Sequence, residues 1–181
     1  HPLSDRTTNL AEALEREGEL LEAIANLADL TLDTTHLTLH QLRDLVKDRV
    51  VARRGTGLSL LFSSFAFKKG VPVDADLVFD VRCLPNPHWI PALRNLTGRD
   101  EEVARYLQEQ PEVAEMLGDI AGFLHRWLPS FEENNRSYMT VAVGCTGGQH
   151  RSVYLAERLG ALFSETMENV LVRHRELGGV R

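Results

Sequence analysis

The chain has 181 residues, 43% apolar and 25% charged, enough for one well-buried domain or one domain with a small appendage, and ordinary for a water-soluble globular protein. Twenty basic residues against 26 acidic ones leave a net charge of −6, so the molecule as a whole repels nucleic acid and anionic membrane, and a polyanion partner needs a local basic patch. Its two cysteines, Cys83 and Cys145, make neither a disulfide framework nor a zinc spacing; with no apolar run of about 18 residues and no signal peptide, a cytoplasmic, non-membrane protein is expected.

The chain begins at His1 without an initiator Met, in a turn-like His-Pro-Leu-Ser, and is read as a piece of a longer protein. Residues 9 to 29 place Leu10, Leu14, Leu21, Ile24 and Ala25 at helical spacing, with Asn9 or Thr8 as N-cap. Residues 30 to 35 are short and β-rich and predict a strand ending in an Asp/Thr cluster. A second helix follows, with Leu39, Leu42, Leu45, Val46 and Val50 on one face. Arg53-Arg54-Gly55-Thr56-Gly57 is the best boundary, dividing residues 1–53 from a domain at 57–181.

In the second part, residues 58 to 65 read as a strand ending in the basic turn Lys68-Lys69-Gly70, and residues 75 to 82 as another strand. Its alternation sets Leu77, Phe79 and Val81 against Asp80 and Arg82, which is a site or a structural pair. A proline-stiffened loop, Leu84 to Trp89, comes next. Residues 100 to 128 look helical with a break at Gln110-Pro111, and Glu132 to Ser137 predict a polar turn. A strand from Tyr138 to Val143, a helix from His150 to Phe163 and a strand from Asn169 to Val172 complete the chain. Alternating strands and helices argue an α/β domain with a mainly parallel sheet flanked by helices.

The chemistry concentrates in Gly144-Cys145-Thr146-Gly147-Gly148-Gln149-His150-Arg151-Ser152. A buried strand that turns on glycines into a helix directs N–H groups and the positive end of the helix dipole at one small volume, which favours an anion over a plain structural turn. Cys145 and Arg151 have the C-x5-R spacing that phosphotyrosine-type phosphatases wrap around phosphate. A nucleophilic Cys145 needs a lowered thiol pKa, and the competing reading is a small buried cysteine at a strand end. In an open α/β sheet ligands gather beyond the carboxyl ends of the strands, where Lys68, Arg82, His88 and the Cys145 to Arg151 loop all fall, with Arg94, Arg99 and Arg136 in neighbouring loops. His88 either contacts a ligand or packs on Trp89. His36 and His40 have metal-ligand spacing but lack a Glu-containing frame and read as surface residues, so no metal is expected. Arg173-His174-Arg175 is a short basic cluster, solvated or in contact with RNA. The 181 residues contain no Gly-x-x-x-x-Gly-Lys-[Ser/Thr] loop for nucleotide phosphates.

Three stretches, Phe65 to Arg82, Leu84 to Trp89 and Gly144 to Ser152, closely resemble the RapZ/YvcJ family of bacterial P-loop proteins, and the resemblance runs over nearly the whole chain. It implies that residues 1–53 are the tail of the family's N-terminal kinase-like domain, whose nucleotide-binding loop lies upstream. Residues 57–181 would be the C-terminal domain, with a fold resembling part of a phosphofructokinase. It further implies an RNase adapter that binds small regulatory RNA, presents it to RNase E and senses glucosamine-6-phosphate. ATP or GTP is expected for the full-length family, no cofactor for this chain, and assembly into a homo-oligomer. Carried over by motif, the sugar-phosphate pocket would use Lys68, His88, Cys145, Thr146, Gly147, Gly148, His150 and Arg151, joined by Arg94 and Arg136, with Arg173, His174 and Arg175 toward RNA. The chain departs from the better-known RNA-binding members in ending Glu176-Leu177-Gly178-Gly179-Val180-Arg181 rather than in a Lys/Arg-rich tail. The rival is a Cys145-dependent phosphatase or phosphotransferase, against which stand Gly144 in place of the signature His and the lack of an obvious acid loop.

Overall fold

The computed structural model describes residues 2–3, 9–51 and 57–177, so most of the expected boundary at Arg53 to Gly57 lies outside the described residues. The chain separates into two compact units between Thr31 and Leu32. The first contains α1 (Leu10–Leu27). Its start is a capping box: the Asn9 side chain accepts the Glu12 N–H at 3.0 Å and the Glu12 carboxylate accepts the Asn9 N–H at 3.0 Å.

The strand expected over residues 30–35 is not formed. Side chains satisfy this segment instead of a ladder, since the Asp33 N–H donates to the Asp74 carboxylate at 3.2 Å and the Thr35 N–H to Asp33 Oδ1 at 3.0 Å. A second capping box at Thr38 and Gln41 opens α2 (Leu39–Val46), which continues as a π-helical turn, Lys47–Val51.

Four strands, β1 (Ser59–Ala66), β2 (Leu77–Asp80), β3 (Tyr138–Cys145) and β4 (Val170–His174), form one all-parallel sheet in the order β2-β3-β1-β4. The central pair, β1 and β3, is buried almost throughout, which explains why both read as near-continuous apolar runs. On one face Leu60, Phe62, Met139, Val141, Val143 and Cys145 join the core with residues of α3 (Glu101–Gln108), α4 (Pro111–Glu133) and α5 (Arg151–Ser164). Thr140 points to the other face, where Arg49 of the π-helical turn reaches it.

Pro111 opens α4, as its place after a break predicts, but the helix runs through Pro129 to Glu133, past the expected end. Buried Leu128 and core-packed Phe131 hold this last turn, and a Schellman closure ends it. Asn135 takes φ +62°, its N–H donates to Glu132 O at 2.9 Å and the Arg136 N–H to Phe131 O at 3.0 Å. No helix among the described residues is long and apolar enough to cross a membrane.

The strand register brings Ala66, Asp80 and Cys145 to one end of the sheet, since Ala66 pairs with Cys145 and Asp80 with Gly144. The segments leaving β1, β2, β3 and β4 there are the carboxyl-end loops.

Candidate functional site

Between β3 and α5 the chain crosses from the centre of the sheet to a helix N-terminus in five residues, Thr146 to His150. Such a tight passage needs glycine. Gly148 sits at φ +68°, and a side chain there would collide with the Glu176 stem and crowd the backbone of Phe65 and Ala66. Gly144, which stands where a phosphatase signature has His, lies against the rings of Phe65 and Phe67, with no room for a Cβ. The loop is buttressed from outside: the Gly98 N–H donates to Gln149 O at 2.8 Å, and Gly98 itself lies so close to His150 and Tyr154 that only glycine fits.

Cys145 is 3% exposed, with Sγ 3.1 Å from Ser152 Oγ and accepting the Gly148 N–H at 3.2 Å. Burial pushes its pKa up, yet the hydrogen bonds from Ser152 and Gly148 and the nearby Arg151 charge outweigh this and leave it below the usual thiol value. His150 is also buried, and its Nε2 is 3.2 Å from the Leu93 carbonyl, which can only accept, so Nε2 carries the proton. Its pKa is lowered, first by burial and then by His88, against the raising effect of backbone carbonyls. The ring is therefore neutral near pH 7, with His88 6.3 Å away, centroid to centroid.

Arg151 opens α5 and is 4% exposed. Its Nη1 donates to the carbonyls of Arg82 at 2.7 Å and Leu84 at 2.9 Å, tying the segment after β2 to the helix. Its Nε is buried without a hydrogen-bond partner, and among the described residues the nearby Asp80 carboxylate pairs with Arg82 instead. A buried cation held by backbone carbonyls at the positive end of a helix dipole, with the Asp80 carboxylate acting on it only from beyond ion-pair distance, leaves this end of the sheet electropositive.

The neighbouring loops add to this end. Arg82 pairs with Asp80 through both carboxylate oxygens and lies 4.0 Å over the Phe67 ring, so Asp80 serves as its structural partner; hydrogen bonding to Arg82 holds the Asp80 carboxyl below the usual range. Lys68 and Thr146 are exposed, His88 is exposed and stacks edge-on with Trp89, and Arg94 donates to the His88 carbonyl at 3.2 Å. Lys69 pairs with Glu176 at 2.5 Å.

Thus Lys68, His88, Arg94, Cys145, Thr146, Gly147, Gly148, His150 and Arg151 share one end of the sheet. Arg136 does not. It precedes β3 and so lies at the amino end, about 25 Å of strand from Cys145, where it pairs with Asp76 at 3.0 Å. The strand direction, not the residue type, removes it from the site. Arg173, His174 and Arg175 do not present a free basic patch: Arg173 pairs with Asp48 at 2.8 Å, His174 lies between Ser64 and Glu157, and Arg175 faces Asp33 at 3.6 Å. Among the described residues no cluster of three or more metal-ligating side chains occurs. Sequence reading did not find Ser152 as the thiol's partner, Gly98 as the buttress or Glu176 beside the loop. Ser152 closes the motif, which by itself assigns it no role, and the other two contacts span about 50 and 30 residues of chain and leave no local signal.

Comparison with known proteins matches the family described as RapZ C-terminal domain over residues 58–178 and that described as RapZ-like N-terminal domain over residues 1–54. A nucleotide-binding protein of Cellvibrio japonicus is 59% identical over 177 residues, 98% of this chain and 60% of its own length. Proteins of the same description from Pseudomonas fluorescens and Hahella chejuensis are 58% and 55% identical over 98% of this chain and 62% of theirs. The chain spans about three fifths of the length of these curated relatives, and it belongs to the RapZ family.

Proposed function

We propose that the Leu32–Arg181 unit is a receptor for a phosphate-bearing metabolite, glucosamine-6-phosphate in the first instance, within an RNase adapter-type regulator. The observation that carries this is the buried Arg151 guanidinium at the N-terminus of α5, held by backbone carbonyls with no carboxylate at ion-pair distance among the described residues. An anion seated on the Thr146 to His150 loop meets the helix N-terminus, the Arg151 charge and flanking Lys68 and His88. Glycine at Gly147, which has open space beside it, leaves the backbone accessible to such a ligand.

In this reading small RNA and RNase E are the macromolecular partners, in a homo-oligomeric assembly in the cytoplasm. These roles are supported by membership of the family. RNA contact through Arg173, His174 and Arg175 requires exchange of their bonds to Asp48, Glu157 and Asp33 for RNA phosphates. The relatives' description as nucleotide-binding supports ATP or GTP binding in a full-length protein. The 181 residues hold no phosphate-binding loop of that type.

Calorimetric titration with inorganic phosphate and with glucosamine-6-phosphate tests the receptor. Arg151→Lys, which keeps the charge but loses the fork that joins Arg82 and Leu84, should weaken binding at least about tenfold. Arg136→Met should leave it within about twofold, being at the wrong end of the sheet. Absence of heat with either ligand, or equal effects of the two substitutions, sinks this placement. The lowered thiol pKa of Cys145 favours a second reading, a phosphatase, whereas its burial opposes it. Hydrolysis of an aryl phosphate that Cys145→Ser abolishes while binding persists decides for that reading.

A further inference from the structure

We propose that Glu176 is an internal acid that guards the anion loop and is exchanged for the incoming anion. The inference rests on the receptor reading above and adds its regulation. Glu176 lies in the segment after β4, yet its side chain is only 8% exposed. Its Cγ packs against Gly148, the residue with φ +68° at the middle of the loop, and its carboxylate pairs with Lys69 in the turn after β1. The preceding residue is pinned to the sheet, the Arg175 N–H donating to Ser64 O at 3.0 Å. An acid with its stem on Gly148 and its carboxylate on Lys69 thus stands beside the loop read above as the anion receptor.

Two like charges close to one low-dielectric loop repel, so an anion on the loop and the carboxylate of Glu176, whose stem packs on Gly148, disfavour each other. Lys69 resolves the conflict. While the loop is empty its ammonium neutralises Glu176; when an anion enters, the same ammonium turns to the anion, and Glu176 moves off Gly148 into solvent. Gly148 has a role beyond its backbone angle, since it makes room for the acid that regulates the loop. Occupancy of the site is then transmitted to residues 175–177, because Glu176 on Lys69 helps, with the Arg175 bond to Ser64, to seat them.

The test titrates inorganic phosphate into the wild-type chain and into Glu176→Gln, with hydrogen exchange at the Arg175 amide as a second readout. Glu176→Gln should bind phosphate about five- to tenfold more tightly, and saturating phosphate should speed Arg175 exchange in the wild type. Lys69→Gln should speed that exchange without ligand and also weaken phosphate binding. If Glu176→Gln fails to fold, Glu176→Ala and the wild-type exchange experiment carry the same decision. Phosphate binding that is equal or weaker in the variant, or Arg175 exchange unmoved by phosphate in the wild type, overturns the exchange while leaving the receptor intact. No binding by wild type or variant overturns the receptor itself.

Discussion

Two adjacent glycines in the loop after β3 have opposite physical standing. Gly148 is at φ +68° and faces the Glu176 stem and the backbone of Phe65 and Ala66, whereas Gly147 has nothing within reach of a Cβ. Gly148→Ala combines about 1–2 kcal/mol of left-handed strain with overpacking of about 1–3 kcal/mol, so a loss of about 2–5 kcal/mol is expected in chemical denaturation. Gly147→Ala should change stability by less than about 1 kcal/mol. If the two substitutions cost the same, the loop is not the turn described. The sequence spells out both glycines equally and does not tell them apart, because the difference lies in what packs behind them. Cys145 and Arg151 are legible from their spacing, but the use of Arg151 on the carbonyls of Arg82 and Leu84 is not, being set by where β2 ends beside β3.

At the scale of elements, the periodic signals held where a buried face enforces them and failed where side chains replace backbone pairing. The four strands and the helices of the sheet domain fall within a few residues of their expected places, because apolar runs, helical periodicity and the break before Pro111 are local properties. Residues 30–35 have strand composition but no ladder neighbour, and Asp33 and Asp74 satisfy the chain instead. On the face of the sheet away from α3 to α5, Arg49 of the π-helical turn is fully buried, with Nη2 3.5 Å from Thr140 Oγ1, its guanidinium 5.5 Å from the Tyr138 ring centroid, and Nε and Nη1 without partners. Burial, ahead of the opposing attraction of Asp76, lowers its pKa well below the usual guanidinium value, to about 10. Such a shift corresponds to about 3 kcal/mol against the charged form. Removing the charge with Arg49→Met, which fills similar volume, should therefore leave unfolding free energy unchanged or raise it by up to about 3 kcal/mol. A loss greater than about 3 kcal/mol in urea denaturation shows that Arg49 holds an essential partner.

Among the described residues, the histidine and the aspartates with resolved shifts act in one direction on acidification. His150 is lowered in the fold from 6.5, by burial above all, so as pH falls the unfolded chain takes up that proton before the folded one does. The stability this represents is full above the unfolded value and is lost as pH falls through 6.5 toward the folded value. Asp33, Asp80 and Asp100 are lowered from 3.8, chiefly by hydrogen bonds from Thr35, Arg82 and Thr97, and their contribution likewise is present above the unfolded value and is lost below about pH 4. Two separate declines of the thermal midpoint follow, one between about pH 7.5 and 5.5 and one below about pH 4. His150→Gln keeps a donor for the Leu93 carbonyl and removes the titration, so it should flatten the first decline and leave the second. Asp100→Asn, which loses the charge that accepts from the Thr97 N–H and hydroxyl, should reduce the second and leave the first. Calorimetric scans across this range decide the matter. A wild-type midpoint that stays level from about pH 7.5 to 5.5 shows that His150 is solvated rather than buried against the Leu93 carbonyl.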